Sequence, residues 1–261
     1  MSIACCSIRD QPHYRKAAFV AGLKAAGYAL ATNAYDLKIK STDLYISWNR
    51  YGNFADEATA WEKRGGLVLV VENGYVGRDA EVRQYYAIAA NGHNGSGRWP
   101  EPEHDRLSKL NIEFKPWRDQ GNHILVCGAR GIGPPGIAQP AGWELLTAQR
   151  LKKITKRPIR IRPHPGNNAP NIPLADDLKD CWAVVTWASN CATEALIAGI
   201  PVHYCGPFIA TAGAATPGIE SIENPPTVDR LATFQRLAWM QWSVDEIQSG
   251  EPFERLRIES H

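Results

Sequence analysis

His164 stands between two prolines in Arg162-Pro163-His164-Pro165-Gly166. The prolines constrain the backbone around it, so the imidazole is aimed and can donate a hydrogen bond to a phosphate. A purely structural histidine is the plain alternative. Further on, Thr186-Trp187-Ala188-Ser189-Asn190 leads into an expected helix. Hydroxyls and backbone amides at a helix start suit an anion. Ser189 or Asn190 can equally be an ordinary N-cap. Glu194, about one turn into that helix, can meet ribose hydroxyls or simply face water. Upstream lies Gly128-Ala129-Arg130-Gly131-Ile132-Gly133-Pro134-Pro135-Gly136. Glycines such as Gly131 and Gly133 let a backbone approach a diphosphate, and Arg130 can pair with it. The alternative is a Pro/Gly turn without a ligand. The spacing is neither a P-loop nor the dinucleotide fingerprint, which sets aside ATP hydrolysis and the usual NAD chemistry.

The elements that must hold these groups alternate between strand and helix. In the first half, residues 2–8, 28–32, 43–48 and 67–71 read as strands, with helices over 14–26 and 55–64. In the second half, the runs 123–127, 158–162, 183–186 and 201–205 read as strands, with helices near 143–153 and 191–198. Such alternation implies parallel sheets with helices on both faces. Ligands of such sheets sit beyond the carboxyl ends of the strands, where the groups above fall. Residues 91–104 form a Gly-rich polar connection of the length expected for a functional loop or a tether. The tail 227–242 carries Leu231, Phe234, Leu237, Ala238 and Trp242 at helical spacing. The fold class expected is α/β with two Rossmann-like domains, 1–110 and 111–261.

The chain has 261 residues, 44% of them hydrophobic and 21% charged, with a net charge of +2. That is an ordinary globular composition, too mildly basic to argue for non-specific nucleic-acid binding by itself. The charge is uneven. Residues 150–162 hold seven Lys or Arg and no acid. They read as a solvated helix end and strand, or as a positive wall beside a polyanion. No apolar run approaches a bilayer span, and the first residues lack a secretory layout, so a cytosolic protein is expected. The six cysteines have no zinc spacing and read as reduced core thiols, with no metal site.

One combination resembles a known family. Arg162, His164 and Pro165, then an apolar strand, then Ser189, Glu194, Ala195, Leu196, Gly199 and Pro201 resemble the nucleotide-binding half of GT-B glycosyltransferases. The nearest likeness is to capsule polysaccharide transferases of the Kdo type and bacterial sialyltransferases with a His-Pro motif. It covers about 40 residues well and the rest of the second half loosely. It implies a GT-B architecture, with the active site in a cleft between two domains. It also implies that His164 and Ser189 contact donor phosphate, that Glu194 meets ribose, and that no metal is required. Asn190 stands where a second serine is often found, and the chain is short for such an enzyme.

The reading that follows is transfer of a sugar from a UDP- or CMP-sugar to an acceptor hydroxyl, with no cofactor. Such a step needs positioning, charge stabilisation on the departing diphosphate and usually a base. Candidates for the base are Asp10, Glu72 and His93, which follow strands or lie in the Gly-rich loop. Their plain alternatives include an N-cap for Asp10 over a helix 11–26, and a turn residue for Glu72. Trp48, Tyr51, Tyr75, Trp99 and Trp117, with Arg50, Arg78 and Arg98, form a candidate acceptor surface for sugars or extruded bases. The acceptors weighed are a 5-hydroxymethylated pyrimidine in DNA, as in phage-type modification, and a saccharide or glycolipid. A nucleotide-sugar epimerase or hydrolase, and a non-catalytic nucleotide or nucleic-acid sensor, are the competing readings. The oligomeric state is left open.

Overall fold

The computed structural model describes residues 1–32, 38–77, 85–133, 135–167 and 172–258. Its contacts divide the chain into two units, residues 1–110 with 235–261, and residues 111–234.

The first unit opens with β1 (Ile3–Cys6), α1 (Lys16–Ala25), β2 (Ala29–Ala31), β3 (Leu44–Trp48), α2 (Asn53–Lys63), β4 (Leu67–Asn73) and β5 (Tyr85–Ala90). Alternate residues of its strands go to opposite faces, and both faces are buried. Leu44, Ile46, Leu69 and Val71 pack with Phe19 and Leu23 on one side. Tyr45, Val68 and Val70 pack with Ala58 and Trp61 of α2 on the other. That two-sided burial is why these strands read as continuous apolar runs.

The second unit holds β6 (His123–Cys127), α3 (Trp143–Leu151), β7 (Ile159–Arg162), α4 (Leu174–Asp177), β8 (Cys181–Thr186), α5 (Cys191–Ile197), β9 (Val202–Tyr204) and β10 (Thr216–Pro217). Its strands are all parallel, in the order β10-β9-β8-β6-β7. Ile124, Val126, Ala183 and Val185 pack with Trp143 and Leu151 of α3.

The remainder of the chain is α6 (Leu231–Trp239), β11 (Gln241–Ser243), α7 (Val244–Ser249) and α8 (Glu251–Ile258). Here the expectation is corrected. Residues 235–261 belong with the first unit rather than with the second. β11 completes a six-stranded sheet of order β11-β5-β4-β3-β1-β2. Trp239, Trp242, Ile247, Phe253 and Leu256 enter the core of that sheet. Gly22 of α1 admits the approach of α7, since a Cβ there would lie 1.8 Å from the carbonyl oxygen of Ile247.

Three further expectations change. The helical spacing over 227–242 ends early, because Trp242 lies on β11, paired antiparallel with Tyr86 of β5. β5 itself runs antiparallel to β4, so this sheet is mixed. The helix expected over 14–26 starts only at Lys16, after a 3-10 turn at Pro12–Tyr14 and a left-handed Arg15 at φ 50°. Asp10 is therefore not its N-cap. Among the described residues, no helix is long and apolar enough to cross a membrane.

Candidate functional site

In the second unit, β6 is followed by its neighbour β7, and the chain then returns to β8 on the other side of β6. The direction of winding reverses between β6 and β8. A crevice forms outside the carboxyl ends at such a point.

Three polar segments meet at this edge. After β6, the amide of Gly128 donates to the carbonyl of Arg162 at 2.9 Å, and that of Ala129 to Gln139 Oε1 at 2.7 Å. Gly131 and Gly133 then adopt φ of +71° and +128°, which side chains rarely tolerate. Pro134 lies outside the described residues. Arg130 is exposed and forms no ion pair among the described residues.

After β7 comes His164. Its Nδ1 accepts a 2.9 Å hydrogen bond from the amide of Gly166. This leaves the ring proton on Nε2, a donor with no partner among the described residues. Burial, and then the nearby Arg130 charge, hold the imidazole below its ordinary pKa. The sequence-predicted pair Arg130 and His164 is brought together beside Gly166, where an added Cβ would lie 3.2 Å from His164 Nδ1 and 3.4 Å from Arg130 Nε. Arg162 goes elsewhere: its Nη1 pairs with Asp177 of α4, both side chains being largely buried. That ion pair ties α4 to the end of β7.

After β8, the buried Thr186 hydroxyl donates to the carbonyl of Cys127 at 3.0 Å and accepts from the amide of Ser189 at 3.0 Å. It fixes the turn that carries Ser189. Ser189 Oγ accepts from the amide of Cys191 at 3.4 Å and keeps its own proton to donate. Asn190 is the N-cap residue of α5, and its carbonyl accepts from the Thr193 hydroxyl at 2.7 Å. Glu194 is exposed on α5.

The sequence marks Thr186 only as the first residue of the 186–190 segment, and it does not mark Gln139. A threonine ending an apolar run is a readable signal, whereas nothing local marks Gln139. Cys127 and Cys191 lie side by side here, and their mutual influence pushes the Cys127 thiol up and the Cys191 thiol down from the ordinary range.

In the first unit, winding reverses between β1 and β3. Asp10 follows β1 and is exposed, with no side-chain hydrogen bond or ion pair among the described residues. Glu72 is differently placed, two strands away on β4. Its Oε1 accepts from the Tyr75 hydroxyl and, at 2.7 Å, from the amide of Asn94. Burial and the Glu72 carboxylate push the Tyr75 phenol well above its usual range. His93 lies in the same loop, its amide bonded to Ser96 Oγ at 3.1 Å. Glu72 therefore anchors the Gly-rich loop, which is also pinned by a bridge between Ala90 and Arg98.

The expected acceptor surface is largely absorbed by packing. Tyr75 is buried, and Trp48 packs against Tyr14 at 4.8 Å and Tyr86 at 5.8 Å. The guanidinium of Arg230 covers Trp117 at 4.3 Å. Arg50 pairs with Glu62 and reaches the carbonyl of Asn91 at 2.7 Å. Tyr51 remains exposed, and Arg78 lies outside the described residues. Among the described residues, no group of three or more His, Cys, Asp or Glu is placed to hold a metal ion.

No protein-family model matches the sequence, and no curated protein matches it significantly. Solved structures do. KpsC, beta Kdo 2,7 transferase, of Thermosulfurimonas dismutans superposes with a TM-score of 0.55 at 16% identity, over 98% of this chain and 99% of that one. KpsC, beta Kdo 2,4 transferase, of the same organism gives 0.54 at 13% identity, over 95% and 98%. The chain thus has a fold like that of these Kdo transferases.

Proposed function

We propose that this chain is a glycosyltransferase that draws its sugar from a nucleotide-sugar donor. The observation that carries the reading is the meeting of Arg130 and the His164 Nε2 donor beside the winding reversal of an all-parallel sheet. A guanidinium, a neutral imidazole N–H and the Ser189 hydroxyl suit the oxygens of a diphosphate. They also suit the charge that grows as it leaves, because preformed donors need no reorganisation. The fold likeness to Kdo transferases supports the same class.

In the proposed step the anomeric carbon–oxygen bond to phosphate breaks. The acceptor oxygen bonds to that carbon, and its proton passes to a base. Asp10 is assigned that role, since its carboxylate is exposed at the carboxyl edge whereas that of Glu72 is engaged. Glu194 is assigned to ribose. The acceptor is assigned to a saccharide, because three of the seven cations in 150–162 pair with acids and leave a weaker phosphate track for DNA.

Purified protein incubated with UDP- and CMP-sugars tests this. Nucleotide release that depends on a saccharide acceptor and survives chelation by EDTA is the expected result. Release that needs hydroxymethylated DNA would reassign the acceptor. Release with no acceptor would identify a hydrolase, and absence of turnover with every donor would overturn the proposal.

A further inference from the structure

α3 has two unlike sides. Trp143, Thr147, Ala148 and Leu151 are buried. Its backbone hydrogen-bonding continues helically past Leu151, with the amides of Lys152 and Lys153 donating to the carbonyls of Ala148 and Arg150 at 3.1 Å. At 3.6 residues per turn, Leu145, Leu146, Gln149, Lys152 and Lys153 fall within an arc of about 120° opposite the buried stripe. Leu145 is 63% and Leu146 59% exposed, and Ile154 just beyond is 44% exposed. Adjacent leucines left this open are not the scattered single apolar residues of an ordinary surface.

The charges beside them sort into two groups. Arg150, Arg157 and Arg162 pair with Glu220, Glu223 and Asp177. Lys152, Lys153, Lys156 and Arg160 are exposed and form no ion pair among the described residues. No acid lies on the arc.

We propose that this face docks on the surface of an anionic lipid bilayer. The leucines enter the headgroup–acyl boundary and the lysines meet anionic headgroups, so that the chain lies on the membrane without crossing it. The charge complementarity selects an anionic partner, and the leucines select lipid over nucleic acid. Nucleic acid would leave both leucines in water and would call for aromatic platforms among the cations. The arc carries no aromatic residue. This assignment uses none of the groups given to the nucleotide site and stands apart from it.

Sedimentation of the full chain with vesicles tests it. Binding is expected to phosphatidylcholine vesicles containing phosphatidylglycerol and not to phosphatidylcholine alone. Lys152→Gln/Lys153→Gln should weaken binding about 25-fold, at about five-fold per charge. Leu145→Gln/Leu146→Gln should weaken it by at least about ten-fold, the loss of buried aliphatic surface. These side chains are exposed, so both variants should keep the wild-type melting temperature. Failure of the wild type to bind anionic vesicles overturns the proposal. So does equal binding to neutral ones, or binding indifferent to the leucines. Tight duplex DNA binding lost in the lysine variant but not in the leucine variant would replace it with a nucleic-acid face.

Discussion

Replacing His164 with alanine removes one donor from the assigned phosphate site and little else. Within the fold the ring's hydrogen bond is the one it accepts from the Gly166 amide at 2.9 Å. An exposed bond of that kind contributes about 1 kcal/mol at most, so the melting temperature should fall by no more than about 2–4 °C. Toward a phosphate, the same ring supplies an N–H to a charged acceptor, worth about 1.5–3 kcal/mol. That corresponds to a dissociation constant raised about 10- to 150-fold. The tautomer adds a pH signature. Because Nδ1 is occupied as an acceptor and burial and Arg130 depress the pKa, the donor is neutral imidazole. Affinity should therefore stay flat between about pH 7 and 9, rather than falling as an imidazolium is lost. Isothermal titration of UDP and CMP into wild type and His164→Ala reads both quantities. An unchanged dissociation constant for every nucleotide that the wild type binds would refute the placement. A tenfold loss of wild-type affinity per pH unit would refute the tautomer.

Asp10→Asn should lower kcat by about 10²- to 10⁴-fold while leaving nucleotide affinity intact, as steady-state kinetics beside titration would show. Glu72→Gln should instead destabilise the protein by about 1–3 kcal/mol, seen as a lower denaturation midpoint, because it disturbs the acceptor of Tyr75 and Asn94; a kcat loss at unchanged stability would make Glu72 the base. Thermal melts should show stability lost as pH falls below about 6.5. Burial holds His123 and His203 below their ordinary pKa, each with one buried ring nitrogen that has no hydrogen-bond partner among the described residues. The unfolded chain therefore takes up protons first on the way down, and stability is fully present above that window. A melting temperature flat from about pH 7.5 to 5 would contradict this.

Strands buried on both faces announce themselves as apolar runs, and the polar residues ending them locate the carboxyl edge. That is why Arg130, His164 and Ser189 are readable from the sequence. Other features depended on partners far along the chain. Tyr85–Ala90 is Ala-rich and lacks a helix or strand signature of its own; it is a strand because β4 and β11 flank it. Trp242 fits helical spacing in sequence, yet pairing with Tyr86 overrides that propensity. Arg162 reads as a ligand group until Asp177, on a separate helix, is seen to take its Nη1. The commitment of Glu72 to Tyr75 and Asn94 is likewise a tertiary fact.

The return of residues 235–261 to the first unit inverts the order of folding during synthesis. The ribosome delivers every residue of 111–234 before Trp239, Trp242, Ile247, Phe253 and Leu256 emerge. The later-made unit can close first, while the earlier one waits with an incomplete core and the edge of β5 unpaired. An unpaired strand edge is a template for association with other chains. Emergence of residues 235–258, rather than completion of the first hundred residues, therefore sets when the first unit can close its core.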